Sequence, residues 1–246
     1  MILFIIIIFI IITMDIYISL ITGVIQSVIF NPIDKAIYTS IINNNNILSY
    51  NNWKKPFSGL FNGVYVKIIT GGLYYYLIDY TNHLNIYYSS IVISLITAII
   101  VNPFNVIRFN SYIQNISTYN SFNIIYMNYN IKFCIIGIEA LIIRDFIFNV
   151  IYLSYKNNNN YLLYNSFIIC IACIISSPFQ YIKNIKYYNN NNYYIIYLNF
   201  YSNFINNNNK INFIIKEFGI GYGILRTISS VYLGNIIYSS LKQIIN

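Results

Sequence analysis

Long apolar segments alternate with short polar stretches along the whole chain. Each segment offers the roughly 20 mainly apolar residues that a helix needs to cross a bilayer. Helices and closed barrels are the two structures that can span lipid, and these segments are too long and too continuous for barrel strands. The pattern therefore predicts six transmembrane helices, at approximately 16–42, 59–82, 86–114, 133–156, 161–186 and 218–243.

The first, third and fifth segments each carry a proline in a similar polar context. These prolines are Pro32, Pro103 and Pro178, and they are separated by 71 and 75 residues. Because proline removes a helical hydrogen bond, we expect a kink at each of them. Residues 1–13 are an apolar extension that either lengthens the first helix or precedes a start at Met14. The spacing predicts one domain of three tandem repeats, at approximately 14–85, 86–160 and 161–246.

Composition supports a membrane protein and narrows its chemistry. The 246 residues are 57% hydrophobic and 8% charged, whereas a soluble domain has about 25% charged residues. The three cysteines lie inside apolar segments and no His or Cys pair completes a metal site, so we expect neither a metal nor a cofactor. The net charge of +8 is not combined with stacking aromatics on a polar scaffold, which argues against nucleic acid as a partner.

Basic residues are concentrated in the loops on one side of the predicted helices. The loops after helices two and four contain only Lys156. The loops after helices one, three and five contain six lysines, namely Lys54, Lys55, Lys132, Lys186, Lys210 and Lys216. Such asymmetry sets the orientation of a membrane protein. In an organelle inner membrane, the lysine-rich side would face the matrix.

Two motifs recur in phase and together suggest a family. Each proline begins a short polar motif, and a glycine opens each even-numbered helix, at Gly59, Gly137 and Gly219. With these repeats the chain resembles the mitochondrial carrier family over nearly all of its length after Met14. The resemblance implies an all-α fold of three helical hairpins around a pseudo-threefold axis. It also implies solute transport by alternating access, without catalysis, in the mitochondrial inner membrane or another organelle membrane.

The same resemblance implies a monomer in the lipid bilayer, with cardiolipin as a candidate lipid partner, and a set of gate residues. In the family, the acid of one odd-numbered helix pairs with the base of the next. Asp34 and Arg108 form the one complete pair here, Asn105 would hydrogen-bond Lys183, and Gln180 would face Ile37. The motif at the opposite end of the even-numbered helices retains only Asp79 and Lys242. We also expect the surface helix within 43–58 to be short or missing.

Charges in the middle of the predicted helices mark a candidate binding site. A charge at the centre of a spanning helix costs about 2.5–3.5 kcal/mol, unless water or another charge solvates it. Seven and eight residues after the three glycines, at the level where the family binds substrate, lie Lys67, Arg144, Asp145, Arg226 and Thr227. Surplus positive charge suits an anion, and an arginine beside an aspartate suits a zwitterion. The expected substrate is therefore a small anionic or zwitterionic metabolite, with an amino acid or an S-adenosylmethionine-like compound favoured.

Alternative interpretations remain open at this point. Asp145 could simply neutralise Arg144, and Lys67 could extend toward the membrane surface. The incomplete gates could also indicate a transport-inactive, carrier-like scaffold or receptor in the membrane. An unrelated six-span channel is a third alternative, although it would not require three phased prolines.

Overall fold

The chain folds into helices. The computed structural model describes residues 2–81, 83–156 and 162–245, and every regular element within them is helical. Numbered in chain order, the six long helices are α1 (Ile2–Ile42), α3 (Leu60–Thr81), α4 (Ile86–Gln114), α6 (Ile138–Lys156), α7 (Leu162–Asn189) and α10 (Ile220–Ile245). The prediction of an all-helical protein is confirmed, and the long helices fall on the six predicted apolar segments.

Four short helices lie in the connections, together with a 3₁₀ segment at Asn130–Ile135. They are α2 (Tyr50–Trp53), α5 (Thr118–Tyr129), α8 (Tyr193–Asn206) and α9 (Lys210–Glu217). The first connection contains only the 4-residue α2, against 12 residues in α5 and 14 in α8. The prediction of a shortened surface helix within 43–58 is therefore confirmed. The backbone of α1 begins at Ile2, so the apolar extension lengthens the first helix.

Length and composition single out two of the helices as candidate membrane spans. Within the described ranges, Ile86–Gln114 and Tyr164–Asn189 are long and apolar enough to cross a bilayer. The expectation of six membrane spans thus remains a prediction.

The six long helices pack in a closed ring. Helix α1 contacts α3 and α10, and the ring continues from α3 through α4, α6 and α7 to α10. Helices α1, α4 and α7 also contact one another across the ring. These three helices contain Pro32, Pro103 and Pro178, and each continues as a helix past its proline.

A glycine in the same conformation precedes each of the other three long helices. Gly59, Gly137 and Gly219 have φ angles of +69°, +67° and +62°, and each lies one residue before its helix begins. This left-handed region of conformational space favours glycine because a Cβ atom is strained there. Space is also limiting, since a Cβ atom on these glycines would lie 3.0 to 3.1 Å from Tyr112, Tyr187 and Ile41 respectively. The sequence repeat is therefore also a repeat of backbone geometry.

Candidate functional site

The central feature inside the ring is a carboxylate shared by two arginines. Asp34 of α1 accepts a hydrogen bond of 2.7 Å from Nη2 of Arg108 in α4. It accepts a second bond of 2.7 Å from Nη2 of Arg226 in α10, whose Nε also contacts the carboxylate. The expected Asp34–Arg108 ion pair is thus present, and Arg226, which the sequence predicted as a substrate-binding residue, binds the same carboxylate. Asp34 thus links three of the long helices, α1, α4 and α10.

Arg108 belongs to a wider polar network between α1 and α4. Its Nε donates to Tyr112 Oη at 2.5 Å, and Tyr112 Oη donates to Asn31 Oδ1 at 2.8 Å. The guanidinium also lies over the Tyr112 ring, 5.2 Å from its centroid. The N–H groups of the Arg108 guanidinium therefore have several interaction partners, as expected for a buried charge.

A second ion pair lies within α6. Arg144 Nη1 contacts Asp145 Oδ1 at 2.6 Å, and the two side chains are 34% and 21% exposed. The two residues thus form an ion pair within one helix. Thr227 Oγ1 donates to Gly223 O at 2.8 Å in its own helix.

Two lysines in the ring are held by neutral amide groups. Lys67 Nζ donates to Gln26 Oε1 at 3.4 Å, and Gln26 Nε2 donates to Ser230 O at 2.9 Å. Lys183 Nζ donates to Gln180 Oε1 at 2.8 Å. The sequence analysis paired Lys183 with Asn105, whereas the described hydrogen-bond partner of its ammonium group is Gln180, one turn earlier on the same helix.

Lys183 also lies against aromatic rings. Its Nζ is 5.4 Å from the centroid of Phe109 and 5.7 Å from that of Tyr187. Cation–π contacts of this kind stabilise an ammonium group for which the predicted gate supplied only the neutral Asn105.

Aromatic packing closes the ring where the three proline-containing helices meet. Tyr38 and Phe109 lie 4.2 Å apart between ring centroids, and Phe109 lies 5.4 Å from Tyr187. Tyr38 Oη donates to Asn184 O at 3.3 Å. Tyr38, Phe109 and Asn184 each lie six residues after a proline, so equal sequence offsets meet at one level. We call the rings of Tyr38, Phe109 and Tyr187 the aromatic plug. The sequence analysis did not predict it, although the shared offset from the prolines could have indicated it.

A polar clamp joins the first glycine turn to the neighbouring helices. Asn31, the residue before Pro32, donates from Nδ2 to Pro56 O at 2.9 Å and to Ser58 O at 3.2 Å. Its Oδ1 accepts the hydrogen bond from Tyr112 described above. Asn31 thus connects the segment before Gly59 to Tyr112 in α4.

The second glycine turn has an equivalent clamp. Asn102 Nδ2 donates to Cys134 O at 2.8 Å and to Ile136 O at 3.0 Å, and its Oδ1 accepts from Tyr187 Oη at 2.5 Å. Cys134 and Ile136 stand in the same positions before Gly137 as Pro56 and Ser58 before Gly59.

The third glycine turn lacks this clamp. Ser177 replaces the asparagine and donates to Ile174 O, 2.7 Å away in its own helix. Ile41 replaces the tyrosine and packs beside Gly219. Both partners of the hydrogen bond are therefore replaced together, and the contact is apolar.

A further buried cation anchors the first connection. Lys35 is fully buried and donates to the backbone oxygens of Lys54 and Lys55, the latter at 3.0 Å, and to the Asn115 side chain. Sequence analysis did not assign a role to this lysine. Its position explains how the short first connection is fixed between α1 and α4.

Two predicted gate residues cannot be compared with the structure, because the side chains of Asp79 and Lys242 lie outside the described residues. Within the described chain, no group of three or more His, Cys, Asp or Glu side chains is arranged to hold a metal ion.

Comparison with known proteins does not assign the chain to a family. No protein-family model matches the chain, and no curated protein matches it.

Proposed function

We propose that this chain is a six-span membrane transporter of the mitochondrial carrier type. It would move a small anionic or zwitterionic metabolite across an organelle inner membrane by alternating access. The observation that carries the proposal is the Asp34 carboxylate, which is bound by arginines of the two other repeats where the proline-containing helices meet. Such a contact can close one end of a central passage and be broken by a change in helix packing.

The closed ring of helices supports this proposal. Helices α1, α4 and α7 contact one another inside the ring, as three hairpins arranged head to tail would require. Equal offsets from the prolines and glycines then bring equivalent residues to equivalent depths, as Tyr112 at Gly59 and Tyr187 at Gly137 illustrate. A passage on the ring axis could therefore be opened and closed by similar movements of three similar units.

The charged interior supports transport over a purely structural role. Ionisable residues inside membrane helices are costly and usually mark a pathway for ions or substrates. The Arg144 side chain is 34% exposed, more than those of Arg108 and Arg226, which is compatible with contact to a solute. A carrier-like scaffold or receptor, the second candidate, is favoured by the incomplete gate motifs but has no need for these charges.

An uptake screen tests the proposal. The purified protein in liposomes is offered radiolabelled amino acids, nucleotides, dicarboxylates and S-adenosylmethionine. We expect uptake of at least one solute and a tenfold to hundredfold loss in Arg144→Ala, because a charge-assisted hydrogen bond of about 1.5–3 kcal/mol is removed.

Matched variants make the screen decisive. Lys132→Ala removes a basic residue from a loop and should leave uptake unchanged. Asp145→Asn should reduce uptake of an amino acid, which needs an acceptor for its ammonium group, and spare a dianion. Inserted, folded protein that takes up none of the solutes would contradict transport and favour the scaffold.

A further inference from the structure

Each of the three proline-containing helices is followed by an asparagine in the same conformation. Asn44, Asn115 and Asn190 each lie twelve residues after a proline, and their φ angles are +50°, +54° and +48°. Asparagine adopts this left-handed conformation more readily than most residues, and helices commonly end where it occurs. The ends of α1, α4 and α7 are therefore equivalent in backbone geometry, and the contacts around them can be compared directly.

Lysines from neighbouring connections bind two of these helix ends. Lys55, which precedes α3, donates from Nζ to Asn115 O at 3.1 Å at the end of α4. Lys216 of α9, which precedes α10, donates from Nζ to Asn44 O at 3.0 Å at the end of α1. Helices α3 and α4 are neighbours in the ring, as are α10 and α1. Each ammonium group lies at the C-terminal end of a helix, where the helix dipole attracts a positive charge.

Among the described residues, no lysine is bonded in this way at the end of α7. Lys132 takes the corresponding place before α6, which neighbours α7 in the ring. Lys132 and Asn190 line one cavity of about 570 Å³. The bonded pair of Lys55 and Asn115 lines a similar cavity of about 460 Å³. The second junction thus has the same components as the first, but its lysine makes no hydrogen bond within the described ranges.

A different contact joins α6 to the connection that follows α7. Tyr193 Oη, at the start of α8, donates to Glu139 Oε2 at 2.5 Å. Lys186 Nζ lies 4.1 Å from the centroid of the Tyr193 ring. These groups connect α6, α7 and α8, but in the described chain they place no bonded cation at the carbonyl group of Asn190.

We propose that Lys55 and Lys216 are latches that hold the ends of α4 and α1 in the ring, and that the end of α7 loosens first. A latch is here a lysine whose ammonium group binds the backbone carbonyl of the left-handed asparagine after a neighbouring helix. The inference concerns the packing of the helices and stands whether or not the chain transports a solute. It is tested by local opening of the backbone, which amide hydrogen exchange reports.

Hydrogen exchange of the full-length protein in lipid nanodiscs, followed by mass spectrometry, compares the three helix ends. After correction for intrinsic rates, we expect residues 186–190 to exchange faster than 40–44 and 111–115. Lys216→Met should accelerate exchange at 40–44 about two- to fivefold, since a cation at an exposed helix C-terminus contributes modestly to stability. Lys216→Arg should retain the protection, because a guanidinium group also donates to a carbonyl oxygen.

The first junction gives a graded version of the same test. Lys55→Met should accelerate exchange at 111–115 less than Lys216→Met does at 40–44, because Lys35 also donates to the Asn115 side chain. Lys54→Met is the matched control, since Lys54 is exposed and adjacent to Lys55. It should leave exchange at 111–115 unchanged.

Three results would overturn the inference. Equal protection of the three helix ends in the parent protein would exclude α7 as the end that loosens first. Unchanged exchange at 40–44 in Lys216→Met would exclude the latch at α1. Faster exchange at 186–190 in Lys132→Met would show that Lys132 holds the end of α7 after all.

Discussion

Three helices meet at the carboxylate of Asp34, so its charge stabilises the packing of all three. It is 16% exposed, and Arg108 and Arg226 bind it from different repeats. Removing one partner of a buried ion pair leaves an uncompensated charge, which is more costly than the net contribution of the pair. Here the loss would leave two guanidinium groups without a carboxylate.

Asp34→Asn should therefore destabilise the protein by about 3–5 kcal/mol. The loss can be measured as the change in unfolding free energy in detergent, followed by circular dichroism. Asp145→Asn is the matched control, because Asp145 has one arginine partner and a more exposed pair. We expect it to cost about 1 kcal/mol or less, and equal losses in the two variants would contradict the central role of Asp34.

Individual contacts were the least predictable part of this protein. The Asp34–Arg108 pair was implied by the resemblance to the carrier family, in which the acid after one proline pairs with the base after the next. The contact between Asp34 and Arg226 could not be predicted in this way. Arg226 lies in a helix without the proline motif, and whether its side chain meets Asp34 depends on how the helices pack. For Lys183, the repeat suggested Asn105 as the hydrogen-bond partner, whereas the structure has Gln180 of the same helix.

At the level of helices, the glycine turns differ in how they are fastened. The first two turns are held by an asparagine–tyrosine hydrogen bond, and the third by contact with Ile41. We expect the first two turns to depend on polar contacts that are worth about 1 kcal/mol each.

The clamp can be removed at the second turn by Asn102→Ser combined with Tyr187→Ile, which reproduces the residues of the third turn. This double variant should lose at least about 3 kcal/mol, because three hydrogen bonds disappear and part of the core is unfilled. Ser177→Ala at the third turn is the control and should cost less than about 0.5 kcal/mol. Chemical denaturation in detergent provides both values, and a double variant as stable as the control would refute the assignment of the clamp.

Helix α9 contains a carboxylate that makes stability depend on pH. Burial raises the pKa of Glu217, which is 8% exposed beside Phe218 and the aromatic cluster around Tyr181. A pKa that is higher in the folded state means that folding favours the protonated acid. Stability is then greatest below the unfolded pKa and falls as the pH rises through the folded pKa.

Glu217→Gln should remove this loss and raise the thermal midpoint near neutral pH. The measurement is the midpoint as a function of pH from about 4 to 8, with Glu139→Gln, an exposed carboxylate hydrogen-bonded by Tyr193, as the comparison. A Glu217→Gln protein that keeps the full pH dependence of the parent would show that another group causes it.

Helix boundaries were predictable for a clear physical reason. Apolar segments, polar interruptions and glycines coincide in this chain, so α3 and α4 begin within a residue of the predicted positions. The fourth segment was predicted to start at 133, but α6 begins at Ile138 because the 3₁₀ segment and Gly137 precede it. The clamp and the aromatic plug depend on side chains meeting across the ring, which helical periodicity alone does not specify.

For the whole molecule, the central proposal is that a passage along the axis of the helix ring opens in turn to both sides of the membrane. Cys173 of α7 offers a native reporter, since it lies in a helix of the ring, five residues before Pro178. Replacing Cys134 and Cys170 with serine leaves it as the only thiol. In liposomes that contain the protein in one orientation, a membrane-impermeant methanethiosulfonate reagent can be applied from either side.

The rate of Cys173 labelling from each side is the most direct test. Alternating access predicts labelling from both sides, slowed from both by a transported solute and accelerated on one side by Asp34→Asn, which weakens the contact that closes that side. Labelling confined to one side, unaffected by any solute and by Asp34→Asn, would contradict alternating access and identify a static scaffold.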